Sequence, residues 1–230
     1  MLFRSVMSEA AARWRAVRDL VDAECRRLER DPAGVTLVVV TKFHPSEMVE
    51  ELLAAGARDF GESRHQDASL KAEALAGRDL TWHFVGQIQS NKARAIAKYA
   101  DVLHSLDRDS VVDALATAER RVQGFIELNL TDDPGRGGVN SADDMLRLAD
   151  RITSTDTIEL RGVMAVAPLG DEPAAAFDRV ATMASILTQA HPRATDISAG
   201  MSADWEAALA AGATHLRIGT SITGNRPFPR

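Results

Sequence analysis

Residues 35–56, VTLVVVTKFHPSEMVEELLAAG, decide the fold. Val35 to Val40 carries no polar residue after Thr36, which is how a strand buried on both faces looks. Pro45 then opens a stretch with Met48, Val49, Leu52 and Leu53 at helical spacing. Gly56 stands where a left-handed cap would end that helix. One buried strand followed by one amphipathic helix is the unit of a parallel sheet covered by helices.

The unit repeats outward from there. The pattern predicts further strands over 57–60, 80–85, 101–104, 122–128, 158–163, 195–197 and 214–218. It predicts helices over 65–76, 91–99, 108–121, 141–152, 173–190 and 203–211. Gly77 and Gly212 mark helix ends, and Ser141 with Asp144 has the spacing of a capping box. Eight strands alternating with helices close a barrel. The fold class is therefore α/β: a single (β/α)₈ TIM barrel, one domain over 1–230, with an N-terminal helix. An open doubly wound sheet fits worse, because no G-x-G-x-x-G follows the first strand. The N-terminal helix is expected over 8–30, capped by Ser8, with Trp14, Val17, Val21 and Leu28 on its apolar side. Its arginines (13, 15, 18, 26, 27 and 30) are interspersed with acids, which favours a solvated face over an anion-binding one.

Composition bounds the function. The chain has 230 residues, 45% of them hydrophobic, with a net charge of −6 and a pI near 5.5. Nucleic acid is disfavoured as a partner, since phosphate neutralisation needs a basic surface. The single cysteine, Cys25, permits no internal disulfide, which suits the reducing cytoplasm. No apolar run approaches the roughly 20 residues a bilayer requires, so no membrane is expected. Residues 1–15 lack the pattern of a secretory leader, and Met7 is an alternative start. The acidic surface without an apolar stripe points to a monomer.

In such a barrel the chemistry lies at the carboxyl ends of the strands. There the sequence places Thr41-Lys42-Phe43-His44, Gly61-Glu62-Ser63-Arg64, Gly86-Gln87 and Ser105-Leu106-Asp107-Arg108. Asn129, Met164-Ala165, Ser198-Ala199-Gly200-Met201-Ser202 and Arg217-Ile218-Gly219-Thr220 complete the rim. Lys42 follows a wholly apolar strand, so a partly buried stem and a lowered amine pKa are expected. A neutral amine condenses with an aldehyde to form an imine. Taken alone, most strand-end lysines are boundary residues. Strands seven and eight supply a second feature, the usual phosphate corner. Ser202, before a helix whose first N–H groups favour an anion, joins Gly219 and Thr220 there. Ser202 as an ordinary helix cap is the competing reading. Arg217 reaches a ring nitrogen if it points inward, and a permanently protonated guanidinium keeps a pyridine nitrogen unprotonated.

Together these segments resemble the pyridoxal phosphate homeostasis proteins, the YggS/PROSC family, from about Val35 to Arg226. The resemblance is carried by Val38-Val39-Val40-Thr41-Lys42, Phe60-Gly61-Glu62-Ser63, Trp82-His83-Phe84-Val85-Gly86, Gln89-Ser90-Asn91-Lys92 and His104-Ser105-Leu106-Asp107-Arg108. Leu160-Arg161-Gly162-Val163-Met164-Ala165, Gly200-Met201-Ser202-Ala203-Asp204 and Arg217-Ile218-Gly219-Thr220 extend it. It implies a barrel similar to the amino-terminal domain of alanine racemase, with pyridoxal 5′-phosphate as a Schiff base on Lys42 and Arg217 at the pyridine nitrogen. It further implies Ser202, Gly219 and Thr220 at the phosphate, Ser198 and Met201 nearby, and Ser63 and Met164 in the cofactor site. Ser63 departs from the family's asparagine, and Gln87 from its usual histidine or alanine. No metal and no catalytic residue are implied. The implied role is cofactor homeostasis: storage or delivery, with apo-enzymes as candidate recipients and an indirect effect on amino and keto acid pools.

The alternative reading is an enzyme: a minor amino-acid racemase or another pyridoxal-phosphate lyase or transaminase. A racemase needs bases on both cofactor faces. The sole tyrosine, Tyr99, is predicted at a helix end away from the mouth, and the chain stops soon after the last strand. His83, in a strand interior, reads more readily as a packed histidine than as a base. A cofactor-free Schiff-base aldolase ranks lower still, since the Arg217 placement has no obvious use there. Lys92 and Lys98 are candidates for a second imine.

Overall fold

The computed structural model describes residues 8–225 except 132, 134, 169 and 171. The alternative start at Met7 and the end of the resemblance at Arg226 lie outside the described residues. Eight strands close in sequence order into a parallel barrel. They are β1 (Thr36–Val40), β2 (Asp59–Glu62), β3 (Thr81–Phe84), β4 (Val102–Leu106), β5 (Val122–Leu128), β6 (Ile158–Ala165), β7 (Asp196–Ser198) and β8 (His215–Ile218). The seam is β1 against β8, with Thr36 opposite His215 and Val39 opposite Ile218. The helices are α1 (Glu9–Arg27), α2 (Ser46–Ala55), α3 (His65–Ala74), α4 (Ala93–Ala97), α5 (Asp109–Leu115), α6 (Ala142–Thr153), α7 (Pro173–Ala190), α8 (Trp205–Ala210) and α9 (Thr220–Thr223). Among the described residues, none is long and apolar enough to cross a membrane.

Local chemistry explains most boundaries. Ser8 caps α1 by accepting the Ala11 N–H, and Gly56 ends α2 at φ +113°. Ser141 accepts the Asp144 N–H at 3.1 Å and donates to its carboxylate at 2.7 Å, giving the capping box. β5 and α7 coincide with the pattern-based expectation. Other expectations are corrected. β2 starts two residues later than the pattern suggests, because Ala57 belongs to the cap of α2 and donates to Leu52 O at 3.0 Å. The helix expected over 108–121 ends at Leu115. The one expected over 91–99 opens as a 3-10 turn at Ser90–Lys92 before α4.

Alternation sorts the barrel into two chemically distinct layers. Leu37, Val39, Phe60, Phe84, Leu103, Ile126, Val163, Leu216 and Ile218 face outward and merge with the apolar sides of the helices into one large core. The interior is more polar. Asp59, His83, His104, Ser198, His215 and Arg217 share it with Phe125, and the rings of His104 and Phe125 stack at 4.8 Å.

The arginines of the N-terminal segment divide: Arg15, Arg26 and Arg27 are exposed, as a solvated face requires, whereas Arg13 and Arg30 are tied to the fold. Arg13 donates to Ile222 O at 2.7 Å, and Arg30 to Leu209 O and Ala213 O at 2.6 and 2.8 Å. They bind the N-terminal helix to the last βα units, next to the candidate site.

Candidate functional site

A pocket of about 460 Å³ opens at the carboxyl ends of β1, β8 and their neighbours. Its lining includes Lys42, Ser63, Met201, Ser202, Arg217, Gly219 and Thr220, seven residues singled out from sequence. Phe43, His44, Val85 and Val166, which the sequence did not single out for the cofactor, line it as well.

Lys42 lies two residues beyond Val40. A side chain built on Gly61 would meet Val38 and Val40 at 3.2 Å, so these valines share the face of β1 that looks into the barrel. Lys42 continues that alternation to the rim. The turn after β1 closes through His44 N–H to Thr41 O at 3.0 Å. Phe43 takes φ +70° in it, a left-handed conformation costly for a residue with a side chain. The Arg64 guanidinium stacks 5.0 Å above its ring and helps hold it. Lys42 is exposed as a whole residue and stands in the turn after β1 at the open mouth, where it lines the pocket.

Arg217 is the buried pole of the pocket, at 5% exposure. It donates to Ser198 Oγ at 2.5 Å and to Ala165 O at 2.8 Å. No carboxylate among the described residues comes within ion-pair distance of it. Burial pushes its pKa down to about 10, against the weaker pull of Glu127 and Asp204. A cation held this way is a donor directed at a neutral acceptor.

The third feature is the corner between β7 and β8. Ser202 Oγ lies 3.4 Å from both Thr220 Oγ1 and the Ser221 N–H. Hydroxyls gathered in one concave corner suit an anion. The expectation of a helix starting at 203 is corrected. α8 begins at Trp205, because Asp204 Oδ1 accepts the Met201 N–H at 2.6 Å and holds 201–204 as a turn. Ser202 is thus not a helix cap. Gly200, at φ +91°, is required here: a Cβ would stand 2.7 Å from Ala208 Cβ and 3.0 Å from Trp205 Cα. Gly86 plays a similar part beside Ser63, whose carbonyl oxygen would lie 2.2 Å from an added Cβ.

Two singled-out residues lie elsewhere. Met164 packs with Val102 and Phe125 inside the barrel. Ser198 is fully buried and bonded to His104 and Arg217 rather than set at the anion corner. β6 and β7 run further than the sequence pattern suggested, so both side chains point inward below the mouth. His83 and Tyr99 do not line the pocket. His83 bonds Asp59 and His104, while Tyr99 lies 3.4 Å from His65 Nδ1 with its hydroxyl pKa raised by burial. Lys92 and Lys98 are exposed and outside the pocket. The fourth lysine, Lys71, was not singled out. It is buried between α3 and β2, 2.5 Å from Glu62 Oε1 and 2.9 Å from Thr41 O. Burial raises the Glu62 pKa, opposed by Lys71, and its Oε2 has no partner among the described residues. Among the described residues no cluster of three or more histidine, cysteine or acidic side chains could hold a metal.

Comparison with known proteins adds independent information. Residues 17–227 match the family model for the alanine racemase N-terminal domain. A relative in Corynebacterium glutamicum, named pyridoxal phosphate homeostasis protein, is 38% identical over 219 residues, covering 90% of this chain and 98% of the relative. PipY of Synechococcus elongatus, solved with pyridoxal phosphate bound, is 33% identical with a TM-score of 0.80, over 94% of this chain and all of PipY. Alanine racemase from Bacillus anthracis, at 18% identity and a TM-score of 0.65, shares the fold over 92% of this chain and 57% of the racemase.

Proposed function

The chain belongs to the alanine racemase N-terminal domain family and, within it, to the pyridoxal phosphate homeostasis proteins, and we propose from this that it is a carrier of pyridoxal 5′-phosphate. The observation that carries the reading is the joint lining of one pocket by Lys42, by Arg217 and by the Ser202–Thr220 corner. The residues present fit the cofactor's three functional groups. The Lys42 amine is the partner of the aldehyde, held as an imine. The Arg217 guanidinium, bonded to Ser198 and Ala165 but to no carboxylate among the described residues, donates to the pyridine nitrogen. Ser202, Gly219 and Thr220 receive the phosphate, with Met201 and Ser63 also lining the pocket.

When bound, pyridoxal phosphate withdraws electrons from an attached amino acid, most strongly when its ring nitrogen is protonated. A guanidinium donor holds that nitrogen unprotonated, which favours storage over turnover. Racemisation would need a second base on the opposite face. The tyrosine that would supply it, Tyr99, is engaged with His65 outside the pocket. Chain-wide, this is one cofactor-binding domain, acting as a cytoplasmic monomer that passes its cofactor to apo-enzymes. The test is colour. Protein mixed with pyridoxal phosphate and desalted is expected to be yellow, and Lys42→Ala colourless. An unchanged visible spectrum in Lys42→Ala refutes the site. Sustained turnover of a D- or L-amino acid by the yellow protein refutes the carrier role.

A further inference from the structure

Arg217 is the first link of a hydrogen-bond chain that crosses the barrel. Its Nη1 donates to Ser198 Oγ at 2.5 Å, and Ser198 Oγ lies 2.8 Å from His104 Nδ1. His104 Nε2 lies 2.9 Å from His83 Nδ1, and His83 Nε2 lies 3.0 Å from Asp59 Oδ1. Five residues from β8, β7, β4, β3 and β2 are joined without a gap. Ser198, His104 and His83 are at most 2% exposed. The far end is not sealed. Asp59 keeps 29% side-chain exposure at the amino-end mouth, where a separate cleft of about 720 Å³ opens.

The chain runs one way when each histidine carries a single proton. A guanidinium only donates and a carboxylate only accepts. His83 then donates from Nε2 to Asp59 and accepts at Nδ1 from His104 Nε2–H, while Ser198 accepts from Arg217 and donates to His104 Nδ1. Burial drives the His104 pKa well down, which favours its singly protonated form.

We infer that Ser198, His104, His83 and Asp59 are positioning residues for Arg217, aligning its guanidinium toward the ring nitrogen of the cofactor and coupling that alignment to the opposite mouth of the barrel. This rests on the cofactor reading above and deepens it. The other charged side chains at the amino-end mouth are paired locally, Arg161 with Asp196 and Arg120 with Asp101. Asp59 is the one that addresses the interior through His83.

Nitrogen-15 NMR tests the chain without cofactor. In the wild-type protein at neutral pH, His83 and His104 are expected as Nε2–H tautomers; a proton on Nδ1 of either overturns the inference. Asp59→Asn keeps the shape, but its amide serves either polarity. A second His104 tautomer is then expected, together with shifted Arg217 guanidinium resonances. Glu159→Gln, at the same mouth and paired with Arg121 and Arg161 rather than with a member of the chain, is the control and leaves both unchanged. With pyridoxal phosphate, Asp59→Asn is expected to shift the visible band and to weaken binding about threefold or more. Unchanged Arg217 signals, or an unchanged band and affinity, in Asp59→Asn overturn the coupling. A wild-type protein that stays colourless counts against the cofactor reading instead, while the tautomers and guanidinium signals still decide the chain.

Discussion

Replacing Arg217 by methionine separates binding from stability. The substitution keeps a long side chain in a site of 5% exposure and removes the charge. Two terms oppose each other in the folded protein. Burial lowers the guanidinium pKa to about 10, which corresponds to a charging penalty of about 3 kcal/mol. Methionine relieves it. Methionine also loses the bonds to Ser198 Oγ and Ala165 O, each worth about 1.5–3 kcal/mol for a charged donor. The terms largely offset, so the unfolding free energy should fall by no more than about 3 kcal/mol. Binding has no such compensation. Losing a charge-assisted bond to the ring nitrogen should weaken pyridoxal phosphate about 10- to 100-fold. Urea denaturation of the cofactor-free protein and a fluorescence titration with cofactor measure the two quantities separately. An Arg217→Met protein that loses more than about 5 kcal/mol of stability yet binds with wild-type affinity would refute the reasoning and make Arg217 a structural residue.

Three further outcomes follow from the geometry. Gly200→Ala should destabilise the protein by about 2–4 kcal/mol and weaken cofactor binding, since it forces both a left-handed alanine and a clash with Ala208 and Trp205; thermal melting and the same titration check this. Lys71→Met should cost about 3–5 kcal/mol by leaving Glu62 buried without its cation, and Glu62→Gln in the same chain should restore part of the loss, read by urea denaturation. Stability should fall as pH drops: His215 is pushed by burial from 6.5 to about 3, so the unfolded chain binds its proton first. That contribution is complete above pH 6.5 and lost progressively toward about 3, amounting to about 2 kcal/mol by pH 5, and His104 adds in the same direction. His215→Asn should flatten the urea-midpoint profile across that window.

The barrel was legible in the sequence because each strand–helix unit announces itself in apolar spacing and glycine caps. Val35 to Val40 and Pro45 to Gly56 are the clearest example. The pocket was legible where function sits in the turns after strands, as at Lys42, Ser202, Gly219 and Thr220. It was misread where strand length decides direction. β6 and β7 each run past the predicted end, and that turns Met164 and Ser198 from rim residues into interior ones. The Asp59-to-Arg217 chain left no signal at all. It depends on inward-facing side chains from five strands meeting in space, and no local pattern in a single sequence encodes that.

The central claim is that one particular amine holds the cofactor. The chain has four lysines: Lys42, Lys71, Lys92 and Lys98. Borohydride reduction of the yellow protein, followed by peptide mass mapping, fixes the pyridoxyl group to the lysine that bore it. The label is predicted on Lys42 alone, at close to one per chain. A label on Lys71, Lys92 or Lys98 in place of Lys42, or one spread thinly over all four, would contradict the account.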